Sequence, residues 1–148
     1  MDIADCLTLD RIVLDLRVRD KLQLLQELAR RTAGSGLKPD MVATALQGRE
    51  ELGSTGLGRG FALPHARIEG LDRPFGLFAR LARPIDYAAI DDRPVDLAFL
   101  LLMPAQDQPG NGSVAALAAV ARRFRDADAA DRLRSAANAA EAFQVLAG

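Results

Sequence analysis

An unbroken apolar run, Leu97 to Met103, lies past the middle of the chain and limits the folds open to it. A strand with one face in solvent alternates apolar and polar residues, whereas this run has no polar position. It therefore predicts a central strand over residues 95–103 that helices cover on both faces. The run is far shorter than the roughly 20 residues that a membrane-spanning helix needs.

Further strands are predicted over residues 12–16, 61–63 and 75–81, with Pro104 ending the central strand and a turn at 91–94. A polar loop follows over 106–112. Helical patterns come first, strands next and helical patterns last. This order indicates an α/β sandwich with a small mixed sheet flanked by helices. A length of 148 residues fits a single domain over 1–148.

Helices are predicted on both sides of these strands. Asp20 is a candidate N-cap for a helix that runs to about residue 32, and Pro39 suits the first turn of a second helix over 40–51. Ser113 is a candidate cap for a helix over 113–124, and two more helices follow over 129–136 and 138–146, the last with a capping-box pair, Asn138 and Glu141. The residues expected to face the core are Leu22, Leu25, Leu28 and Ala29 in the first helix, Met41, Val42, Ala45 and Leu46 in the second, and Leu117, Val120 and Phe124 in the third.

The strongest functional signal is a glycine-rich segment, GSTGLGRGFALPH, which runs from Gly53 to the only histidine, His65. Glycine reaches positive φ and has no Cβ, so such a loop can direct several backbone N–H groups at an anion. The spacing does not match the known nucleotide loops. A P-loop needs a lysine and a hydroxyl where this chain has Arg59 and Gly60, and a dinucleotide fingerprint needs a strand before the glycines and a helix after them.

A histidine beside an anion cradle suits phosphoryl transfer. Neutral imidazole is nucleophilic at cellular pH, and transfer between carriers asks the protein mainly for positioning and charge neutralisation. The predicted site has His65 as the phosphorylated nucleophile and Arg49 as the group that neutralises the phosphate. The residues predicted to bind phosphate are Ser54, Thr55, Gly56, Gly58 and Gly60.

Composition excludes several other classes of function. The net charge is −1 and 5% of residues are aromatic, so no nucleic-acid surface is expected. The single cysteine, Cys6, allows no internal disulfide, and no basic-then-apolar leader is present, so a cytoplasmic location without membrane insertion is expected. With no second histidine, cysteine pair or carboxylate cluster, no metal site and no cofactor are predicted.

The segment REE at 49–51, followed by GSTGLGRGFALPHAR, resembles the active-site signature of the bacterial phosphotransferase-system enzyme IIA of the fructose/mannitol type. The segment from Pro84 to Ala105 is similar to that family as well, and the likeness covers nearly the whole chain. Within the family, the chain looks most like the nitrogen-regulatory branch.

This resemblance implies a phosphohistidine carrier. It implies that His65 accepts a phosphoryl group at Nε2 from a small HPr-like carrier and that Arg49 helps to bind it. In the nitrogen-regulatory branch the phosphorylation state is read by target proteins, such as potassium-transport and sensor-kinase proteins. The alternatives are a sugar-transport enzyme IIA, which passes phosphate to a permease component, and a regulator that acts by contact alone.

The chain departs from the family pattern at two positions. Many members carry a second active-site histidine in an HLxxL pattern, and here Ser113 stands in its place, in the segment SVAAL, after a longer loop. Serine can donate a hydrogen bond or cap the helix but cannot carry positive charge, so onward transfer is expected to be slower. Arg59, where the family often has asparagine, is a candidate for compensating charge.

Overall fold

The computed structural model of the chain describes residues 2–106 and 112–148. Within these residues, six strands form one mixed sheet that has helices on both faces, as the sequence predicts. The strands are β1 (Ile12–Leu16), β2 (Gly56–Gly58), β3 (Phe61–Ala62), β4 (His65–Ile68), β5 (Phe75–Ile85) and β6 (Val95–Pro104). The helices are α1 (Lys21–Arg30), α2 (Pro39–Glu51), α3 (Ser113–Arg125), α4 (Ala127–Ser135) and α5 (Ala139–Ala147).

Strand β6 is the central strand, and both of its faces are buried, which confirms the prediction from the apolar run. It pairs antiparallel with β5 on one side and parallel with β3 and β4 on the other, and β1 extends the sheet beyond β5. Leu100 and Leu102 pack into a core under α1 and α2, while Phe99 and Leu101 pack into a second core under α3, α4 and α5. Alternate side chains of one strand therefore hold the two helical layers together.

Strands β3 and β4 occupy the same side of β6 and are separated by a short break at Leu63 and Pro64. Strand β3 pairs with the start of β6, and β4 pairs with its end, beginning at His65 opposite Leu101. Between them the Leu101 N–H donates to the Pro64 carbonyl at 3.0 Å. Proline has no N–H of its own, so the ladder is interrupted there. This break lies directly before the histidine.

The two helices on the first face start where the sequence predicts. The Asp20 side chain accepts from the Gln23 N–H at 2.8 Å, as an N-cap does, and α2 begins at Pro39. The predicted burial of Leu22 and Met41 is wrong, because each is 52% exposed. At 100° per residue, Leu22 lies about 90° and Met41 about 120° around its helix from the mean direction of the buried residues. Those are Leu24, Leu25, Leu28 and Ala29 in α1, and Val42 and Leu46 in α2.

The helices on the second face also follow the predicted order, with shifted ends. Gly112, with a φ of 81°, is the N-cap of α3, so the prediction that Ser113 caps this helix is wrong. Ser113 is instead the first helical residue and is 2% exposed. The Asn138 side chain caps α5 by accepting from the Glu141 N–H at 2.9 Å. Most of the predicted polar loop, residues 107–111, lies outside the described residues.

Candidate functional site

The ring of His65 is held in one orientation by the backbone two residues earlier. Its Nδ1 lies 2.7 Å from the carbonyl oxygen of Leu63, at the break between β3 and β4. A carbonyl can only accept a hydrogen bond, so Nδ1 carries the proton. In the neutral ring, Nε2 then keeps its lone pair. The nitrogen that is free to attack is therefore Nε2.

The surroundings of His65 favour the neutral ring. The side chain is half-buried, and this loss of hydration lowers its pKa below the usual value, more than any other cause. The hydrogen bond to the Leu63 carbonyl raises the pKa, the positive charge of Arg49 lowers it, and the negative charge of Glu50 raises it. The net shift is downward, so the ring is neutral at cellular pH and available as a nucleophile.

Arg49 lies in the last turn of α2 and also contacts the loop that follows this helix. Its Nη1 donates to the carbonyl of Gly53 at 2.9 Å, which ties the end of the helix to the start of the glycine-rich segment. Its charge is near enough to His65 to lower the pKa of the imidazole. The two residues that the sequence singles out for nucleophile and phosphate charge are therefore within electrostatic range of each other.

The first loop residues, Ser54 and Thr55, form hydrogen bonds with Glu50 and Tyr87. The Thr55 N–H donates to Glu50 Oε1 at 3.0 Å, and the Thr55 hydroxyl donates to the other oxygen of Glu50. The Tyr87 hydroxyl lies 2.9 Å from the Thr55 hydroxyl, and Ser54 donates to the Tyr87 carbonyl at 3.3 Å. Thr55 is 2% exposed. These contacts fix the loop against α2 and the segment after β5.

The three glycines predicted to bind phosphate lie in or beside the β2–β3 hairpin. Gly56 packs so closely on Ala89 that a Cβ would lie 2.7 Å from the Ala89 Cβ, and its N–H donates to the Ser54 hydroxyl at 3.1 Å. Gly60 has a φ of 84°, and a Cβ there would lie 2.7 Å from an oxygen of Asp96. Gly58 is in the same turn, with a φ of 97°. Turn geometry and close packing thus account for these glycines without a ligand.

Arg59 and Ser113, the two positions that depart from the family pattern, are engaged elsewhere in the fold. The Arg59 guanidinium donates to the Arg125 carbonyl at the end of α3 at 3.3 Å, and its N–H donates to Asp91 at 2.9 Å. These contacts give no support to Arg59 as a compensating charge beside His65. Ser113 is buried at the start of α3 and has an interaction partner.

Three residues near the site were not predicted from the sequence: Glu50, Lys21 and Tyr87. Lys21 pairs with Glu50 at 2.7 Å and lies over the Tyr87 ring, 4.4 Å from its centroid. Tyr87 is fully buried, and burial raises the pKa of its hydroxyl. A charged residue on the buried stripe of α1, where Lys21 stands, is the sequence signal that could have revealed this cluster.

The described residues contain no group of three or more His, Cys, Asp or Glu side chains that could hold a metal ion. Over the same residues, no helix is long and apolar enough to cross a membrane. What the site offers is a neutral histidine with Nε2 unprotonated and an arginine whose charge acts on it. A neutral imidazole near a guanidinium is chemically suited to accept a phosphoryl group.

Comparisons with known proteins identify the family of this chain. Residues 5–148 match the family described as “Phosphoenolpyruvate-dependent sugar phosphotransferase system, EIIA 2”, and the chain belongs to it. It is 44% identical over 148 residues to the “Nitrogen regulatory protein” of Bradyrhizobium diazoefficiens, covering 99% of this chain and 95% of that protein. It is 39% identical over 126 residues to the protein of the same name from Escherichia coli, covering 84% of this chain and 75% of that protein.

A solved structure shows the same relationship. The crystal structure of “Nitrogen Regulatory Protein IIA-Ntr” from Neisseria meningitidis superimposes with a TM-score of 0.90 at 35% identity, covering 97% of this chain and 98% of that one. The resemblance to the nitrogen-regulatory branch, inferred from the glycine-rich segment and its flanks, is thereby confirmed.

Proposed function

We propose that this chain is a regulatory phosphoryl carrier in which Nε2 of His65 accepts a phosphoryl group from an HPr-like carrier protein. The observation that carries the proposal is the hydrogen bond of Nδ1 to the Leu63 carbonyl, at 2.7 Å. It leaves the Nε2 lone pair as the nucleophile of the neutral ring. Membership of the phosphotransferase-system family supports the same role.

The proposed transfer needs no group beyond the two proteins. The Nε2 lone pair of His65 attacks phosphorus, a new N–P bond forms, and the bond between phosphorus and the carrier's nitrogen breaks, with its electron pair returning to the carrier. The His65 ring becomes more positive as it is phosphorylated, and the Nδ1–H bond to Leu63 stabilises that charge. Arg49, whose charge already acts on His65, would neutralise the phosphoryl oxygens.

Regulation follows from the charge that phosphorylation adds. A phosphoryl group brings about −1.5 to −2 charges near neutral pH, if phosphohistidine follows other phosphoresidues. The chain's formal net charge is −1, so the local change is large. Partner proteins in the cytoplasm would read this change, and a potassium transporter or a sensor kinase is the type of target to test. The relatives named as nitrogen regulatory proteins support a regulatory role over sugar transport.

Phosphorylation is tested by incubating the untagged chain with phosphoenolpyruvate, enzyme I and an HPr-type carrier, followed by intact-mass measurement at alkaline pH. The expected result is one acid-labile phosphoryl group. His65→Ala should abolish it, because His65 is the only histidine in the chain. A phosphoryl group retained by His65→Ala would overturn the assignment.

Two other outcomes would redirect the assignment. Absence of phosphorylation with cognate donors would favour a regulator that acts by contact alone, and Ser113 would be the first position to examine. Transfer from the phosphorylated chain to a sugar-permease EIIB component, with sugar uptake that depends on this chain, would favour the transport role.

A further inference from the structure

Glu50, the residue after Arg49, has a buried carboxylate with contacts on both of its oxygens. The side chain is 7% exposed and pairs with Lys21 Nζ at 2.7 Å. It also accepts from the Thr55 N–H at 3.0 Å and from the Thr55 hydroxyl. A buried carboxylate is costly unless its partners are in place, so this cluster has one favourable arrangement. Glu50 therefore holds Thr55 in a fixed position relative to α2.

A short path of two hydrogen bonds, both made by the backbone of Leu63, connects Thr55 to the ring of His65. The Leu63 N–H donates to the Thr55 carbonyl at 2.9 Å. The carbonyl of the same Leu63 accepts from His65 Nδ1 at 2.7 Å. The position of Leu63 is thus set on one side by Thr55, and its carbonyl sets the tautomer of His65 on the other. Each step is a hydrogen bond of ordinary length.

We propose that Glu50 is a positioning residue for phosphoryl transfer, which acts through Thr55 and Leu63 to hold His65 with the proton on Nδ1 and Nε2 exposed to the donor. The proposal rests on the proposed function of His65 as phosphoryl acceptor. Glu50 does not contact the phosphoryl group in this role. Its neighbour Arg49, in the same helical turn, is the residue that contacts the phosphoryl group. One turn of α2 therefore fixes the tautomer of His65 and supplies the positive charge that meets the phosphate.

The electrostatics agree with this geometry. The negative charge of Glu50 raises the pKa of His65 while the positive charge of Arg49 lowers it. Glu50 also raises the pKa of Tyr87, whose hydroxyl completes the hydrogen bonding of Thr55. Removing the charge of Glu50 should therefore lower the pKa of His65 directly, and it should also loosen the loop that contains Thr55.

The test compares Glu50→Gln with Glu51→Gln, which removes the same charge from the next residue, an exposed one. Two quantities are measured on the untagged chain: the ¹⁵N shifts of His65, which report its tautomer and pKa, and the rate of phosphorylation by an HPr-type carrier. Glu50→Gln is expected to lower the His65 pKa and to mix its tautomers. We expect kcat to fall about ten- to a hundredfold, with little change in the KM for the carrier, as for a small displacement of a reacting group.

A second pair of variants keeps the test decisive if Glu50→Gln does not fold. Thr55→Val removes the hydroxyl that donates to Glu50 and has nearly the same volume, whereas Thr55→Ser keeps the hydroxyl. Thr55→Val should mix the His65 tautomers, and Thr55→Ser should do so less.

The proposal is overturned if Glu50→Gln leaves the His65 tautomer and kcat unchanged, if the whole loss falls on KM, or if Glu51→Gln has the same effect. Failure of the proposed function gives a different pattern, because the wild-type chain would then not be phosphorylated at all. The tautomer measurement needs no phosphoryl transfer and still decides the role of Glu50 in that case.

Discussion

A single hydrogen bond at the residue scale determines which nitrogen of His65 can react. Because Nδ1 donates to the Leu63 carbonyl and the ring is half-buried, the structure predicts one tautomer and a pKa below about 6.5, the ordinary value for histidine. Since the chain has one histidine, its imidazole signals need no assignment by mutation. A ¹⁵N titration should show Nδ1 protonated throughout and Nε2 titrating below the ordinary value. A pKa at or above that value, or a ring protonated on Nε2 at high pH, would contradict the structure.

The charge of Arg49 is the second prediction at this scale. Arg49→Ala should slow phosphorylation of His65 by about 10²- to 10³-fold, if its contribution resembles that of one preorganised donor to a charged transition state. It should also raise the His65 pKa, because the positive charge that lowers it is gone. The matched control is Arg30→Ala, which removes an exposed arginine from the last turn of α1. Equal losses in rate and equal shifts in pKa in the two variants would exclude a specific role for Arg49.

At the scale of elements, the β2–β3 hairpin has to fit closely against the segment after β5. Gly56→Ala should destabilise the protein by about 1–3 kcal/mol, because the new methyl group would lie 2.7 Å from the Ala89 Cβ. The control is Gly48→Ala inside α2, where a Cβ meets nothing within 4 Å and helix propensity favours alanine by about 0.8–1.0 kcal/mol. Urea unfolding of both variants checks this pair. A Gly56→Ala variant as stable as the wild type would show that the hairpin can shift.

The local sequence pattern predicts strands and helices that carry a clear signal of their own, and it fails where tertiary contacts determine the structure. The apolar run predicted β6, the Asp20 cap predicted the start of α1, and Pro39 in the first turn predicted the start of α2. Strands β2 and β4 were not predicted from the sequence. Strand β2 has three residues, two of them glycine, and β4 has four residues directly after a proline, so neither shows a strand pattern of its own. Strand β4 pairs with β6, which is distant in the sequence, and β2 pairs with its neighbour β3, which is itself held by β6. The face of α1 was misjudged because Lys21, and not Leu22, continues the buried stripe towards Glu50.

The same limit applies to the candidate site. His65 and Arg49 stand out from the sequence because their residue types suit phosphate chemistry, and in the fold the charge of Arg49 acts on His65. Glu50 and Tyr87 do not stand out, because a glutamate on a helix and a single tyrosine are ordinary. Only their burial, at 7% exposure for the Glu50 side chain and 0% for Tyr87, shows that they form a fixed cluster with Thr55. Burial of a polar group is a tertiary property that spacing alone does not carry.

At the scale of the whole molecule, the protonation of His65 is linked to the stability of the fold. The folded state lowers the His65 pKa, so the unfolded chain binds the proton more readily. Above about pH 6.5 the ring is neutral in both states and its contribution to stability is complete. As the pH falls below that value, the unfolded state gains a proton first, and stability is lost until the pH passes the folded pKa. The slope from this one group is at most about 1.4 kcal/mol per pH unit.

This linkage is tested by comparing how the free energy of unfolding depends on pH in the wild type and in the His65→Gln variant, which has no titrating group at position 65. Carboxylates remote from His65 titrate in the same way in both proteins, so their contributions cancel. The free energy of unfolding of the wild type, relative to the variant, should be constant above about pH 6.5 and decrease below it. Urea unfolding from pH 8 to pH 5 measures it. Linkage also requires that the total decrease match the His65 pKa shift found in the ¹⁵N titration, at about 1.36 kcal/mol per pKa unit. Profiles that stay parallel, or a relative free energy that increases as the pH falls, would mean that the fold does not favour the neutral ring over the protonated one.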